Sequence, residues 1–285
     1  MFDKVAEFWK NEGNEIKCGL CPHSCCISEG FKGKCGVRAN RDGVLYAESY
    51  GKVTSIALDP IEKKPLYMFM PGKKIVSVGS YGCNFKCPFC QNYGISLEYE
   101  NVGFKYMTPE LVTEIALSYV PDDNIGVAYT YNEPFVGYEF VKNCSHLIKE
   151  AGLMNVLVTN GYINKEPLIE LLPVIDAMNI DLKGNNNRTY NKVGGTLDAA
   201  LNTIETASGA CHVEVTTLVI PNENDDQTEE IAKRLSAVDP EIPYHLSRFF
   251  PRYKFSDRSA TSPEIMYKAY DSAKKHLKNV YLGNM

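Results

Sequence analysis

Three cysteines stand on one short stretch, Cys83-Asn84-Phe85-Lys86-Cys87-Pro88-Phe89-Cys90, directly after the apolar run Ile75–Ser80. Thiolates spaced C-x3-C-x2-C can wrap a single iron–sulfur cube, each taking one iron. The fourth iron is then left without a protein ligand, and a second molecule can bind and be reduced there. A redox ferredoxin closes its cube with four cysteines, and a structural zinc site likewise takes four ligands. Three buried or zinc-bound cysteines are the plainer alternative. A second group lies upstream: Cys18, Cys21, Cys25 and Cys35, spaced C-x2-C-x3-C-x9-C, with Cys26 as a spare. Four thiols suit one closed tetrahedral zinc or a second cluster, and spacing alone does not choose between them. A reduced cysteine-rich loop without metal is the remaining reading. His23 beside it reads as a surface residue.

The cysteine loop needs a scaffold. From residue 75 onward, short β-branched runs alternate with longer amphipathic ones. Candidate strands are Ile75–Ser80, Ile125–Thr130, Asn155–Thr159, Ala177–Leu182, His212–Ile220, Tyr244–Phe249 and a weaker Asn279–Leu282. Thr108-Pro109-Glu110 and Ser262-Pro263-Glu264 each open a helix with a capping hydroxyl and a proline at the first helical position. Other helices are expected near 135–151, 164–172, 197–208 and 227–238. Repeated βα units imply an α/β fold with parallel strands. Six such units suggest an open, partial (βα)6 barrel, in which cofactors sit at the C-terminal ends of the strands. Residues 1–17 read as a short amphipathic helix, and 59–65, rich in proline and charge, as an extended connector. Two regions follow: a small cysteine-rich N-terminal extension over 1–73 and the barrel core over 74–285.

The strand ends carry polar residues. Tyr131-Asn132-Glu133-Pro134 follows the second strand, and Asn132 offers a side-chain acceptor. Thr159-Asn160-Gly161 ends the third and suits a ligand's ribose or carboxylate, although it also makes an ordinary turn. Asp181 and Lys183 share one face of the fourth, where an inward lysine needs an anion. Glu214 and Thr216 are candidate inward residues of the fifth. On the sixth, His245 and Ser247 share a face while Arg248 takes the opposite parity unless the strand has already ended. A histidine and an arginine at the open end would bind substrate or transfer a proton.

Composition bounds the rest. With 285 residues, 44% hydrophobic and 23% charged, the chain can bury a full core. A net charge of -5 leaves no footprint for nucleic acid or an anionic membrane. The first residues lack the apolar core of a secretory signal, and no apolar run approaches a membrane span. Ten cysteines, eight of them within the first 90 residues, then point to metal or redox chemistry in the cytoplasm.

C-x3-C-x2-C followed by Gln91-Asn92 resembles the cluster loop of the radical S-adenosylmethionine (SAM) superfamily, in the branch that includes the glycyl-radical-enzyme activases. Cys18-x2-Cys21-Pro22-His23-x-Cys25, Gly33-x-Cys35-Gly36-Val37-Arg38, Asp59–Pro65 and His245-x2-Arg248-Phe249-x-Pro251 are similar to a narrower group. That group is the AmmeMemoRadiSam system radical SAM enzymes, described as pyruvate formate-lyase activating enzyme-like. The resemblance implies a [4Fe–4S] cluster on Cys83, Cys87 and Cys90, with Phe89 beside it. It further implies SAM held by Glu133, Asp181 and Lys183, and the strand-end position adds Asn132, Thr159 and Asn160 to that set. A flavodoxin- or ferredoxin-type electron donor and, as partners, Memo- and Ammecr1-type proteins also follow from it. Two departures stand out: Tyr131-Asn132 replaces the family's Gly-Gly before Glu-Pro, and the activases' Asp-Gly-Pro-Gly segment is missing. The expected activity is reductive cleavage of SAM, followed by hydrogen abstraction from a small molecule or protein. The alternatives are a glycyl-radical activase and a non-catalytic iron–sulfur or zinc electron-transfer module.

Overall fold

In the computed structural model, residues 4–285 are described. The N-terminal region is built from short antiparallel strands. β1 (Trp9–Glu12), β2 (Glu15–Cys18) and β3 (Cys26–Ser28) form one sheet, and β4 (Arg38–Arg41) pairs with β5 (Val44–Ala47). The helix expected over 1–17 is therefore a β-hairpin over its described part. Gly13, at φ +68°, makes the reversal, and Glu15-Ile16-Lys17-Cys18 alternates with a period of two. β6 (Lys52–Val53) leads into β7 (Ser55–Pro60) and then β8 (Lys74–Gly79).

After β8 come α1 (Tyr93–Ser96), β9 (Lys105–Tyr106), which pairs with β6, and α2 (Pro109–Ser118). β10 (Asn124–Tyr129), α3 (Tyr138–Glu150), β11 (Met154–Thr159), α4 (Lys165–Leu171) and β12 (Ala177–Asp181) then alternate regularly. α5 (Asn187–Val193), absent from the sequence reading, precedes α6 (Leu197–Ser208) and β13 (His212–Val219). α7 (Thr228–Val238), β14 (Tyr244–Arg248), α8 (Pro263–Lys274) and β15 (Val280–Gly283) complete the chain. Both expected caps form: Thr108 accepts from Leu111 N–H and Ser262 from Ile265 N–H.

The main sheet runs β15-β14-β13-β12-β11-β10-β8-β7. All its neighbours are parallel except β7, which lies antiparallel along β8. β15 and β7 are not paired with each other, so the barrel is open. Met178 and Ile180 face the helices, while Ala177, Asn179 and Asp181 face the interior.

The connector expected at 59–65 is instead structural. Asp59 lies on the edge strand, and Ile61 and Leu66 are wholly buried inside the barrel. Proline and charge are tolerated there because β7 has only one neighbour, and because Lys64 donates to Asp59 at 2.9 Å. The following residues floor the barrel. Tyr67 and Met68 N–H donate to Glu214 at 3.0 and 2.8 Å, and Asn179 donates to Pro65 O. No helix of the described residues is long and apolar enough to cross a membrane.

Candidate active site

The cysteine loop leaves the C-terminal end of β8, the end at which parallel barrels carry their chemistry. It is tied down from several sides. Asn132 accepts from Ser80 N–H at 2.9 Å and donates to Gly82 O at 3.1 Å, bracing the loop's first turn. Lys86 N–H donates to Val193 O, which brings the C-terminus of α5 against the loop. Asn84 donates to Tyr162 O and accepts from Asn160 Nδ2 at 2.8 Å. The same Asn160 amide lies 3.8 Å from Cys83 Sγ, and Phe85 N–H lies 3.3 Å from that sulfur.

Glu133 is almost completely buried and holds this arrangement from behind. Its carboxylate accepts from Thr159 Oγ1 at 2.7 Å, Asn160 N–H at 2.8 Å and Phe135 N–H at 3.0 Å. Burial nevertheless pushes its pKa up to about 7, against those three donors. Asn132, Glu133, Thr159 and Asn160 thus form one network around Cys83. Their polar atoms are spent mainly on one another and on the loop backbone.

Asp181 and Lys183 emerge from the end of β12 and are joined by a 2.5 Å ion pair. Burial opposes the lysine's charge, but Asp181 and Cys87 hold its pKa above the usual value. Lys183 in turn favours the thiolates of Cys87 and Cys90, although burial dominates and pushes Cys87 up to about 12. Asp181 Oδ1 is buried without a hydrogen-bond partner, and so is Thr216 Oγ1 opposite it on β13. Two unsatisfied oxygens side by side on the interior wall are costly unless a ligand meets them. Phe89 is buried and packs on Phe255, with ring centroids 5.9 Å apart.

His245 and Arg248 are not brought to this site. His245 lies at the N-terminal end of β14, where its Nε2 meets Glu214 at 2.5 Å and its ring packs on Tyr67. The expectation of an open-end histidine is corrected: this one belongs to the floor. Arg248 is the last residue of β14. Its Nε donates to Thr261 O and its guanidinium lies over Phe250. His23 is half-buried rather than on the surface, with Nε2 2.8 Å from Asn84 O.

One interior group was missed from the sequence. Asp59 accepts from Lys64, Ser77 and Tyr131, each at 2.9 Å. Tyr131 takes φ +72°, the left-handed region where glycine is favoured, at a position where the family pattern has glycine. A long-range pairing of this kind leaves no local spacing signal.

The N-terminal thiols also converge. Cys18, Cys21, Cys25 and Cys35 line one cavity of about 20 Å³, and Asn84 of the cysteine loop forms part of its wall. Burial and mutual repulsion push Cys21 up to about 12 and Cys35 up to about 11.

The sequence profile of the radical SAM superfamily matches residues 77–235. This chain belongs to the radical SAM superfamily. It is 45% identical to an uncharacterised protein of Methanocaldococcus jannaschii, over 97% of this chain and 83% of that one. A putative glycyl-radical enzyme activating enzyme of the same organism is 27% identical over 72% of this chain and 79% of its own length. The fold is shared with Streptococcus suis SuiB bound to SAM, with a TM-score of 0.54, 11% identity and coverage of 73% of this chain and 46% of that chain. The radical SAM family carries a [4Fe–4S] cluster and uses SAM. The three-thiol loop fits that cofactor pair by its donor set, and the unpartnered Asp181 and Thr216 oxygens beside it await a polar ligand.

Proposed function

We propose that Cys83, Cys87 and Cys90 hold the cluster and that SAM lies over it, between Asn160, Asp181 and Lys183. When bound, the pair supplies reductive cleavage of SAM to methionine and a 5′-deoxyadenosyl radical, which takes hydrogen from substrate. The protein's part is to bind, orient and seal. Lys183 offers an ammonium to a carboxylate, and Asp181 Oδ1 with Thr216 Oγ1 offers acceptors to hydroxyl or amino groups. Glu133 and Thr159 position Asn160 against Cys83, and Asn132 fixes the loop's entry. The observation that carries this reading is the meeting of the three-cysteine loop with Asn160 and the Asp181–Lys183 pair at the C-terminal end of a parallel barrel.

The substrate is read as a small molecule or protein segment that enters from that same end, because Pro65–Met68 floor the other. A second reading, activation of a glycyl-radical enzyme, is favoured by the likeness to the putative activating enzyme. A flavodoxin- or ferredoxin-type protein in the cytoplasm supplies the electron, and Memo- and Ammecr1-type proteins are the proposed partners. The test is anaerobic reconstitution, reduction with dithionite and assay for SAM-dependent 5′-deoxyadenosine. Its formation supports an enzyme. No product from a fully loaded cluster overturns the reading in favour of a non-catalytic module. Transfer of deuterium from a labelled glycine of a candidate partner into that product would select the second reading.

A further inference from the structure

The N-terminal cysteines border a hollow rather than meeting at a point. A tetrahedral zinc with Zn–S bonds near 2.3 Å draws its sulfurs to within about 3.8 Å of one another. Cys18, Cys21, Cys25 and Cys35 instead stand around a cavity whose wall also carries Arg38 and Asn84. A cube spreads its ligands because each sulfur binds a different iron, and four thiols close it completely.

The cavity's surroundings are built for sulfur. Arg38 is 1% exposed and lines the cavity. Its Nη groups are taken by Glu139 and by Glu7 O, yet its Nε–H is buried with no partner. An orphaned donor of this kind calls for an acceptor, and hydrogen bonds to cluster sulfur are one way in which proteins set cluster potentials. Lys34 N–H already lies 3.5 Å from Cys25 Sγ, as Phe85 N–H lies beside Cys83.

The two cysteine sites share a wall. Gly82 takes φ +87°, and a Cβ there would stand 2.9 Å from Cys35 O and 2.5 Å from Val37 Cγ1. On the other side of Cys83, Asn84 lines the upstream cavity and its carbonyl meets His23. Both chain neighbours of Cys83 therefore touch the N-terminal knot.

We propose that Cys18, Cys21, Cys25 and Cys35 hold a second, fully ligated [4Fe–4S] cluster that relays electrons to the cluster at Cys83, Cys87 and Cys90. One electron enters it from a low-potential iron–sulfur or flavin protein, which is oxidised by one electron. That electron passes across the shared wall to the SAM-binding cluster, and the relay returns to its oxidised state with no bond made or broken. The relay half of the proposal rests on the radical SAM reading above; the cluster half does not.

The test uses the full chain reconstituted anaerobically with iron and sulfide. The wild-type protein should hold about eight irons, two cubes of four. The triple variant Cys83→Ala/Cys87→Ala/Cys90→Ala should retain about four, with a paramagnetic resonance signal after dithionite that does not respond to SAM. A wild-type chain with about four irons and one zinc, or a folded triple variant without iron, overturns the second cluster. The double variant Cys21→Ser/Cys35→Ser should keep a SAM-responsive signal and cleave SAM with dithionite, a small reductant that reaches the first cluster directly. With reduced flavodoxin its rate should fall at least about tenfold; an undiminished rate overturns the relay. Cys26→Ser, exposed and outside the cavity, should keep all eight irons. Eight irons with no 5′-deoxyadenosine would sink the proposed function and leave the second cluster standing.

Discussion

Replacing Glu214 with alanine tests whether the barrel floor is held by one carboxylate. In the structure that side chain is wholly buried and accepts from Tyr67 N–H, Met68 N–H, His212 and His245. A hydrogen bond to a charged group contributes about 1.5–3 kcal/mol, so losing the two backbone bonds alone removes about 3–6 kcal/mol from the floor. Each 1.4 kcal/mol is a factor of ten, so opening of the floor should become roughly 10²- to 10⁴-fold easier, up to the limit set by global unfolding. Hydrogen exchange followed by mass spectrometry reads this directly in peptides covering residues 64–70. Those peptides should exchange faster in Glu214→Ala, while peptides from α3 and β11 stay protected. Glu214→Gln, which keeps one carbonyl acceptor, should fall between the two. If residues 64–70 exchange at the wild-type rate while global stability drops, the floor is held by its apolar contacts and the electrostatic account is wrong.

The same group sets an acid limit. Burial pushes Glu214 up, but its four donors outweigh this and hold it at about 2, against 4.5 when unpaired. Its folded pKa is depressed, so its contribution is complete above pH 4.5 and is lost as pH falls toward 2; that amounts to about 3 kcal/mol, which urea titrations of wild type and Glu214→Gln should show. Asn132→Ala leaves Ser80 N–H and Gly82 O unpaired at about 1–3 kcal/mol each, and should lower iron retention at the Cys83 loop after desalting. Thr216→Val removes an oxygen that has no partner in the protein, so thermal stability should hold or rise while 5′-deoxyadenosine formation falls. Gly82→Ala forces a side chain into the left-handed region and against Cys35, costing at least about 1–3 kcal/mol, with iron lost from both cysteine sites.

How much of this was legible beforehand depends on the distance over which each signal acts. The three-cysteine loop and the alternating βα pattern are local, and β8 and β10–β15 fall within a residue or two of the runs that marked them. Asp181 and Lys183 were placed on one face by parity, and they pair. The N-terminal hairpin reads as a helix in sequence because a short charged stretch around Trp9 satisfies either period. His245 was misplaced along the barrel axis because parity tells which face a residue takes but not its height on the strand. The Asp59–Lys64–Ser77–Tyr131 group joins residues up to 72 positions apart, and no window of sequence contains it.

That last group explains how the chain departs from its family's Gly-Gly-Glu-Pro pattern without losing the turn. A tyrosine at φ +72° carries a backbone cost of about 1–3 kcal/mol that glycine would avoid. The cost is offset only if the side chain is held, and Tyr131 donates to a buried carboxylate and lies under the Lys64 ammonium, 4.9 Å from its ring centroid. Asp59 and Lys64 both come from the segment preceding the cysteine loop. The N-terminal region therefore supplies a wall of the cysteine loop, the edge strand, the floor and the partner that fixes the strand-end turn. Cutting the chain at residue 74 would strip all four from the barrel, so residues 74–285 expressed alone are expected to fail to retain iron after reconstitution. Retention of about four irons by that fragment would refute this dependence.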